Sequence, residues 1–126
     1  MLGIIGGSLV TQLANLEVTR RLVVRTPYGE PSAALTFGRI RDREVVFLAR
    51  HGYGNTIPPH EVNYCANIWA LHAQQVKDVV AVAAVGGIRS DLGPGMLAVP
   101  NQIIDYTHGR QATYFSRTDH SVTHVA

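Results

Sequence analysis

Short runs of apolar residues, each closed by glycine or polar residues, recur along the chain and predict buried β-strands. Three such runs have a loop of this kind directly after them: residues 2–5 before Gly6-Gly7-Ser8, residues 45–49 before Arg50-His51, and residues 79–85 before Gly86-Gly87. A strand covered on both faces reads as continuous apolar sequence, so we predict that these runs lie inside a sheet.

Further strands are indicated by β-forming residues and turn signals. Residues 18–24 are rich in β-forming types, and residues 33–40 and 44–49 form a predicted hairpin across Arg41-Asp42-Arg43. Residues 102–105 are predicted as one more strand, and the sequence after them is polar and loop-like.

One helix is predicted near the middle of the chain. Pro58-Pro59 cannot continue a strand but suits the first turn of a helix. From residue 60 to about 75 the apolar positions recur at helical spacing: Val62, Ala66, Trp69 and Ala73. We therefore expect Val62 and Trp69 to pack in the core.

This order of elements predicts an α/β fold with a mixed central β-sheet flanked by helices, in a single domain over residues 1–126. Open α/β sheets bind ligands at the C-terminal ends of their strands, where the three loops named above are expected to lie. Such a domain needs helices on both faces, whereas one clear helix is predicted. We therefore expect the sequence to be part of a longer chain.

The composition excludes several classes of protein. Apolar residues make up 46% and charged residues 16%, which argues against disorder. The net charge is +2 and the arginines are scattered, so a nucleic-acid partner is not expected. No stretch has the length of a membrane span and no signal peptide is recognisable, so we expect a cytoplasmic protein without a membrane partner. Cys65, the one cysteine, is expected to be a small buried hydrophobic residue.

Two of the loops carry groups that suit an anion. The glycines of Gly6-Gly7-Ser8 can turn backbone N–H groups toward an anion, and the Ser8 hydroxyl adds a donor. The spacing matches neither the dinucleotide fingerprint nor a P-loop, and an ordinary turn is the alternative. Arg50 can grip a phosphate with two parallel hydrogen bonds and His51 can add an N–H, or the pair is a surface arginine beside a satisfied histidine.

The third loop offers backbone rather than side chains. Small residues at 83–87 permit close approach of a ligand, although close packing of strand against helix is an equal alternative. The other histidines show no metal-ligand spacing: His60, His72, His108, His120 and His124. No metal site is therefore predicted.

Six segments together carry a resemblance, and they occur in order at compatible spacing: residues 3–8 (GIIGGS), 26–32 (TPYGEPS), 47–52 (FLARHG), 63–71 (NYCANIWAL), 85–88 (VGGI) and 104–107 (IDYT). They resemble the successive motifs of the purine nucleoside phosphorylase family, in the branch of methylthioadenosine and S-methyl-5′-thioinosine phosphorylases. Residues 84–88 and 58–64 look more like the methylthioinosine enzymes. The resemblance covers the N-terminal half of such a protein.

The resemblance implies a mixed, partly barrel-like sheet flanked by helices and incomplete at its C-terminus. It also implies phosphorolysis of a 5′-methylthio-purine nucleoside, with S-methyl-5′-thioinosine the preferred substrate, by a homotrimer that uses phosphate as co-substrate and no cofactor. Alternatives are a methylthioadenosine or general purine nucleoside phosphorylase. From a different class, a non-catalytic nucleotide-binding module or an inactive fragment also stays open.

The resemblance further implies roles for particular residues. Those matching the phosphate site are Ser8, Arg50, His51, Ala83 and Ala84, and those matching the nucleoside site are Val85, Gly86 and His124, the last reaching a neighbouring subunit. Two positions depart from the family pattern: Ala83 stands where many relatives have Thr or Asn, and Asn55 where they often have His. The base-activating residue is expected to lie outside this chain.

Overall fold

Five strands form one mixed sheet in the computed structural model, which describes residues 1–8, 13–115, 121–122 and 124. The strands are β1 (Leu2–Gly6), β2 (Glu17–Leu22), β3 (Leu35–Ile40), β4 (Arg43–Ala49) and β5 (Asp78–Ala81). Their order across the sheet is β2-β3-β4-β1-β5. β1 pairs in parallel with β4 and β5, whereas β2, β3 and β4 pair antiparallel. The mixed α/β sheet predicted from the sequence is confirmed.

The β3–β4 hairpin supplies most of the core. Its tight turn is made by Arg41, which has a positive φ of 54°, and Asp42. β4 is buried over five consecutive residues, 45–49, as its continuous apolar sequence predicted. The buried core cluster draws on both strands, on β1 and on the helical segment: Ile5, Leu35, Phe37, Val46, Leu48, Ala70, Leu71 and Val76.

The helix begins later than predicted. Pro59–Glu61 forms a separate short 3-10 helix, and the chain is extended at Val62. α1 then runs over Tyr64–Ala73, and the Asn63 side chain accepts a hydrogen bond from the backbone N–H of Ala66 at 3.0 Å. A capping asparagine marks a helix start because it satisfies a free N–H of the first turn. The proline pair therefore begins the short 3-10 helix rather than the long helix α1.

The predicted apolar helix face is wrong in part. Val62 is buried, as expected, but it precedes α1, while Trp69 is half-buried and Ala73 is exposed. The inward face instead consists of Cys65, Ala66, Asn67, Ala70 and Leu71. The buried stripe of α1 is thus rotated relative to the predicted one, and Trp69 falls at its edge.

Two helix asparagines hold the turn-rich segment before β3. Asn67 accepts a hydrogen bond from the backbone N–H of Ser32 at 2.8 Å and donates to the Ser32 hydroxyl at 2.9 Å. Asn63 donates to the carbonyl of Tyr28 at 2.7 Å. Asn67 in α1 and Asn63 at its N-cap therefore fix residues 28–32 against the helix, and no buried side-chain amide is left unpaired among the described residues.

The predictions for the second half of the chain are less accurate. The strand expected over residues 79–85 is shorter than predicted, because β5 ends at Ala81. Its residues are exposed: Val79 retains 44% and Val80 50% of its accessible surface. Residues 102–105, expected to form a strand, are not part of a strand. β5 pairs with β1 on one side, and no described strand lies on its other side. In the ranges that the structure covers, no helix is long and apolar enough to cross a bilayer.

Candidate functional site

The ends of β1, β4 and β5 meet at one edge of the sheet. β1 and β4 are parallel and in register at Gly6 and Ala49, and the hydrogen-bonding continues beyond the strands. The Arg50 backbone N–H donates to the Gly6 carbonyl at 3.1 Å, and that of Val82 donates to the Ile5 carbonyl at 2.8 Å. The three loops that follow the predicted strands therefore start side by side.

The Arg50 side chain spans this edge. Its Nη1 donates to the Val82 carbonyl at 3.3 Å, and its guanidinium lies over Gly7. A Cβ atom at Gly7 would be 2.7 Å from Arg50 Nη2 and 3.1 Å from the Val82 carbonyl oxygen. Only a residue without a side chain permits this approach, so the glycine and the arginine form one arrangement. Arg50 is the charged group that connects all three loops.

His51 is only 9% exposed, and both of its ring nitrogens are engaged with protein atoms. Arg50 Nε donates to His51 Nε2 at 3.2 Å, and His51 Nδ1 lies 2.8 Å from the Ile57 carbonyl oxygen. An arginine nitrogen can only donate, so Nε2 is the acceptor and the ring proton is on Nδ1. A direct contact of His51 with phosphate would therefore have to come from its backbone N–H, not from the ring as the sequence suggested.

Ser8 is exposed at the start of its loop, where its hydroxyl could reach an anion. Its carbonyl accepts a hydrogen bond from Asn55 Nδ2 at 3.0 Å, which joins the loop after β1 to the loop after β4. Asn55 has a positive φ of 55°, a conformation that asparagine adopts more readily than most residues. We missed this role from the sequence, although an asparagine beside a glycine in a strand-end loop is a usable signal.

The remaining predicted residues are less organised. Ala83, Ala84, Val85 and Gly86 follow Val82 directly, are exposed and belong to no helix or strand. The segment follows Val82, whose carbonyl accepts a hydrogen bond from Arg50, so it begins next to the candidate anion-binding residues. His124 is exposed, and among the described residues no hydrogen bond joins it to the three loops. The structure thus brings Ser8, Arg50 and His51 together and leaves His124 unassigned.

Two cavities lie away from the strand-end loops. A cavity of about 480 Å³ lies at the other end of the sheet, and its walls are Asn15, Ile40, Arg41, Asp42 and Arg43. A second, of about 350 Å³, lies beside β2 and β3. Neither is lined by the strand-end loops, so convergence of donors, not concavity, marks the candidate site.

Comparison with known proteins agrees with the family resemblance seen in the sequence. A family model described as "Phosphorylase superfamily" matches residues 1–125. The chain is 48% identical over 122 residues to a probable S-methyl-5′-thioinosine phosphorylase of Pseudomonas syringae pv. tomato, covering 97% of this chain and 50% of that protein. It is also 48% identical over 126 residues to an S-methyl-5′-thioadenosine phosphorylase of Mycolicibacterium smegmatis, covering 100% of this chain and 47% of that protein.

A solved structure agrees with the sheet described above. The methylthioadenosine phosphorylase of Schistosoma mansoni in complex with adenine superposes with a TM-score of 0.89 at 40% identity, over 98% of this chain and 45% of that one. The chain spans about half the length of the curated relatives it matches.

Proposed function

Because the chain belongs to the phosphorylase superfamily, we propose that the protein cleaves a 5′-methylthio-purine nucleoside with phosphate, giving the free purine and 5-methylthioribose 1-phosphate. The protein would thus act as a pentosyltransferase, as the names of its relatives suggest. The observation that carries the proposal is the position of Arg50, whose guanidinium bridges the loops at three strand ends. This is where α/β sheets bind their ligands.

The proposed reaction assigns these residues to phosphate. A phosphate oxygen attacks C1′ of the ribose, and the bond from C1′ to the purine nitrogen breaks with its electron pair leaving on the base, which takes up a proton. The sugar gains oxocarbenium-like charge on the way, as in glycoside hydrolysis. A phosphate held below C1′ both attacks and stabilises that charge. Arg50, the Ser8 hydroxyl and the backbone at Ala83 and Ala84 would hold it there. The reaction so written uses no metal or organic cofactor.

The nucleoside would lie beyond the phosphate, against Val85 and Gly86. Their exposure and lack of secondary structure leave backbone groups accessible to a purine. S-methyl-5′-thioinosine is our preferred substrate. S-methyl-5′-thioadenosine is the second candidate, because relatives that carry the two names are equally similar to this chain, at 48% identity. Assembly as a homotrimer, with His124 reaching the neighbouring subunit's substrate, and a cytoplasmic setting stay predictions from the resemblance.

The test is release of free purine from S-methyl-5′-thioinosine, S-methyl-5′-thioadenosine and inosine, with and without phosphate, using the full-length protein. We expect release that requires phosphate, forms a sugar 1-phosphate and is fastest with the methylthio substrates. Release without phosphate would indicate a hydrolase. Binding of nucleoside without any turnover would support the non-catalytic module instead.

Arg50→Ala tests the phosphate site itself. Loss of an arginine contact to a desolvated phosphate should cost roughly 2–5 kcal/mol of binding free energy, measured by calorimetric titration of phosphate. Arg39→Ala is the matched control, because Arg39 pairs with Glu44 at the start of β4 and so lies at the opposite edge of the sheet. Equal phosphate affinity in Arg50→Ala and wild type would remove Arg50 from the site.

A further inference from the structure

We propose that His51 is a positioning residue, whose ring orients the Arg50 guanidinium toward phosphate and does not itself bind the anion. The inference rests on the proposed function, because it concerns the same phosphate site. It assigns the two neighbouring residues different tasks: Arg50 contacts the ligand, and His51 acts through Arg50.

The tautomer of His51 follows from its partners. Arg50 Nε carries a hydrogen and has no lone pair, so the 3.2 Å contact to His51 Nε2 requires an unprotonated Nε2. The proton of the neutral ring must then be on Nδ1, which donates to the Ile57 carbonyl at 2.8 Å. Acceptance at Nε2 excludes a proton on that nitrogen, so the single ring proton is on Nδ1. The ring is thereby an acceptor on the side that faces Arg50.

The ring itself is held by a reciprocal pair of hydrogen bonds. The backbone N–H of Ile57 donates to the His51 carbonyl at 3.1 Å, while the Ile57 carbonyl accepts from His51 Nδ1. Gly52 takes a positive φ of 75° at the start of this closed loop. His51 is therefore fixed from two directions and 9% exposed, which suits a group that must not move when the ligand arrives.

The hydrogen bonds to His51 and to the Val82 carbonyl decide which nitrogens of Arg50 are left to bind an anion. Nε is held by His51 and Nη1 contacts the Val82 carbonyl, while Nη2 lies beside Gly7. Two of the three guanidinium nitrogens are thus held by protein acceptors, and Nη2 lies beside Gly7, in the loop that contains Ser8. A preoriented arginine loses less conformational freedom on binding, so removal of His51 should weaken phosphate through Arg50.

The first test is spectroscopic and needs no activity. Long-range proton–nitrogen NMR correlations of the ligand-free protein, with His51 assigned by comparison with His51→Gln, report which ring nitrogen carries the proton. We expect a neutral ring protonated at Nδ1, together with a slowly exchanging Arg50 Nε–H. A ring protonated at Nε2, or at both nitrogens at neutral pH, would overturn the proposal.

The second test is a double-mutant cycle on phosphate binding, with Arg50→Ala, His51→Asn and the double variant. His51→Asn keeps an N–H where Nδ1 was but removes the acceptor for Arg50, and we expect it to weaken phosphate about ten-fold. In the Arg50→Ala background the same change should have no further effect, because its target is gone. His51→Gln, whose side-chain oxygen can accept from Arg50 Nε, should lose less affinity than His51→Asn. Thermal unfolding of all variants controls for stability.

The outcomes separate the two proposals. If His51→Asn weakens phosphate by the same factor with and without Arg50, or has no effect in either background, His51 does not act through Arg50. If the wild-type protein binds no phosphate, the proposed function fails, and the NMR result alone decides whether His51 holds Arg50 as described.

Discussion

The Arg50 guanidinium packs so closely against Gly7 that a side chain at residue 7 would collide with it. A Cβ atom on Gly7 would lie 2.7 Å from Arg50 Nη2 and 3.1 Å from the Val82 carbonyl oxygen. Gly7, directly after β1, is therefore needed for the close approach of the arginine. No positive φ is involved, so an alanine could adopt the same backbone conformation.

Gly7→Ala is expected to displace the Arg50 guanidinium while leaving the fold intact. Because the nearest atom is the end of a flexible side chain, the cost should fall on phosphate binding, with an affinity loss of about ten-fold or more. Calorimetric titration of phosphate and thermal unfolding measure the two effects separately. Gly93→Ala is the control, since a Cβ at Gly93 would meet nothing within 4 Å. Unchanged phosphate affinity in Gly7→Ala would show that Arg50 does not need its present position.

The hydrogen bond from Asn55 to the Ser8 carbonyl predicts graded effects in two Asn55 variants. Asn55→Gly keeps the positive φ and loses the 3.0 Å hydrogen bond to the Ser8 carbonyl, while Asn55→Ala loses both. We expect the KM for phosphate to rise about three- to ten-fold in Asn55→Gly, because the loop bearing Ser8 is released. Asn55→Ala should be at least as impaired and also less stable. An unchanged KM for phosphate in both variants would separate Ser8 from the anion site.

The meeting of the three strand-end loops was predictable because it follows from local pattern and one rule of sheet geometry. The apolar run over β4 is buried as a continuous run should be, and parallel pairing with β1 brings Gly6 next to Arg50. The hairpin was predictable for the same reason, since its contacts are between neighbours in sequence.

The errors concern features that depend on distant partners. β5 ends at Ala81 although its apolar sequence continues, because pairing rather than hydrophobicity decides where a strand stops. The bonds of His51 could not be predicted either, since they depend on where the loop returns the Ile57 carbonyl. The start of α1 was readable in principle from the capping role of Asn63, but Pro58-Pro59 gave a stronger and misleading signal.

Burial on α1 ranks two core substitutions. Leu71 is 1% exposed, so Leu71→Ala should destabilise the protein by about 2–5 kcal/mol. Trp69 is half-buried and at the edge of the inward face, so Trp69→Ala should cost less than the 3–5 kcal/mol usual for a buried aromatic residue. Chemical denaturation measures the loss of unfolding free energy in both variants. Ile68→Ala is the control, because Ile68 is 44% exposed. A larger loss for Trp69 than for Leu71 would contradict this description of the helix face.

Tyr114 predicts a loss of stability at alkaline pH. Its hydroxyl donates to the Cys65 carbonyl at 2.8 Å, and its ring packs edge-on against Tyr28. Burial raises the pKa of Tyr114 above its usual 10.0, with smaller contributions from Cys65 and Tyr28. The folded state therefore holds the phenol proton more tightly, so this contribution is complete below the unfolded pKa and is lost as pH rises through the folded value.

Tyr114→Phe separates the contribution of the Tyr114 hydroxyl to the unfolding free energy from that of the other residues. The variant should lose about 1 kcal/mol near neutral pH through the missing hydrogen bond, and its stability should fall less steeply above pH 10. Unfolding free energies measured from pH 7 to 11 provide the comparison, with the exposed Tyr106→Phe as the control. Identical pH profiles for wild type and Tyr114→Phe would mean that another group causes the alkaline loss.

His124 bears on substrate choice and on assembly together. It is exposed here, and the family resemblance implies that it reaches the 5′ end of a nucleoside in a neighbouring subunit. A neutral imidazole can pack against a thioether and still donate one hydrogen bond, so His124→Ala should lower kcat/KM for a methylthio-nucleoside more than for the matching 5′-hydroxyl nucleoside.

Phosphate affinity should change little in His124→Ala. The activity of the wild-type enzyme should fall on dilution below the dissociation constant of the oligomer. His108→Ala, at another exposed histidine, is the control. If the ratio of kcat/KM between the two nucleosides is the same in wild type and His124→Ala, this histidine does not read the 5′ group.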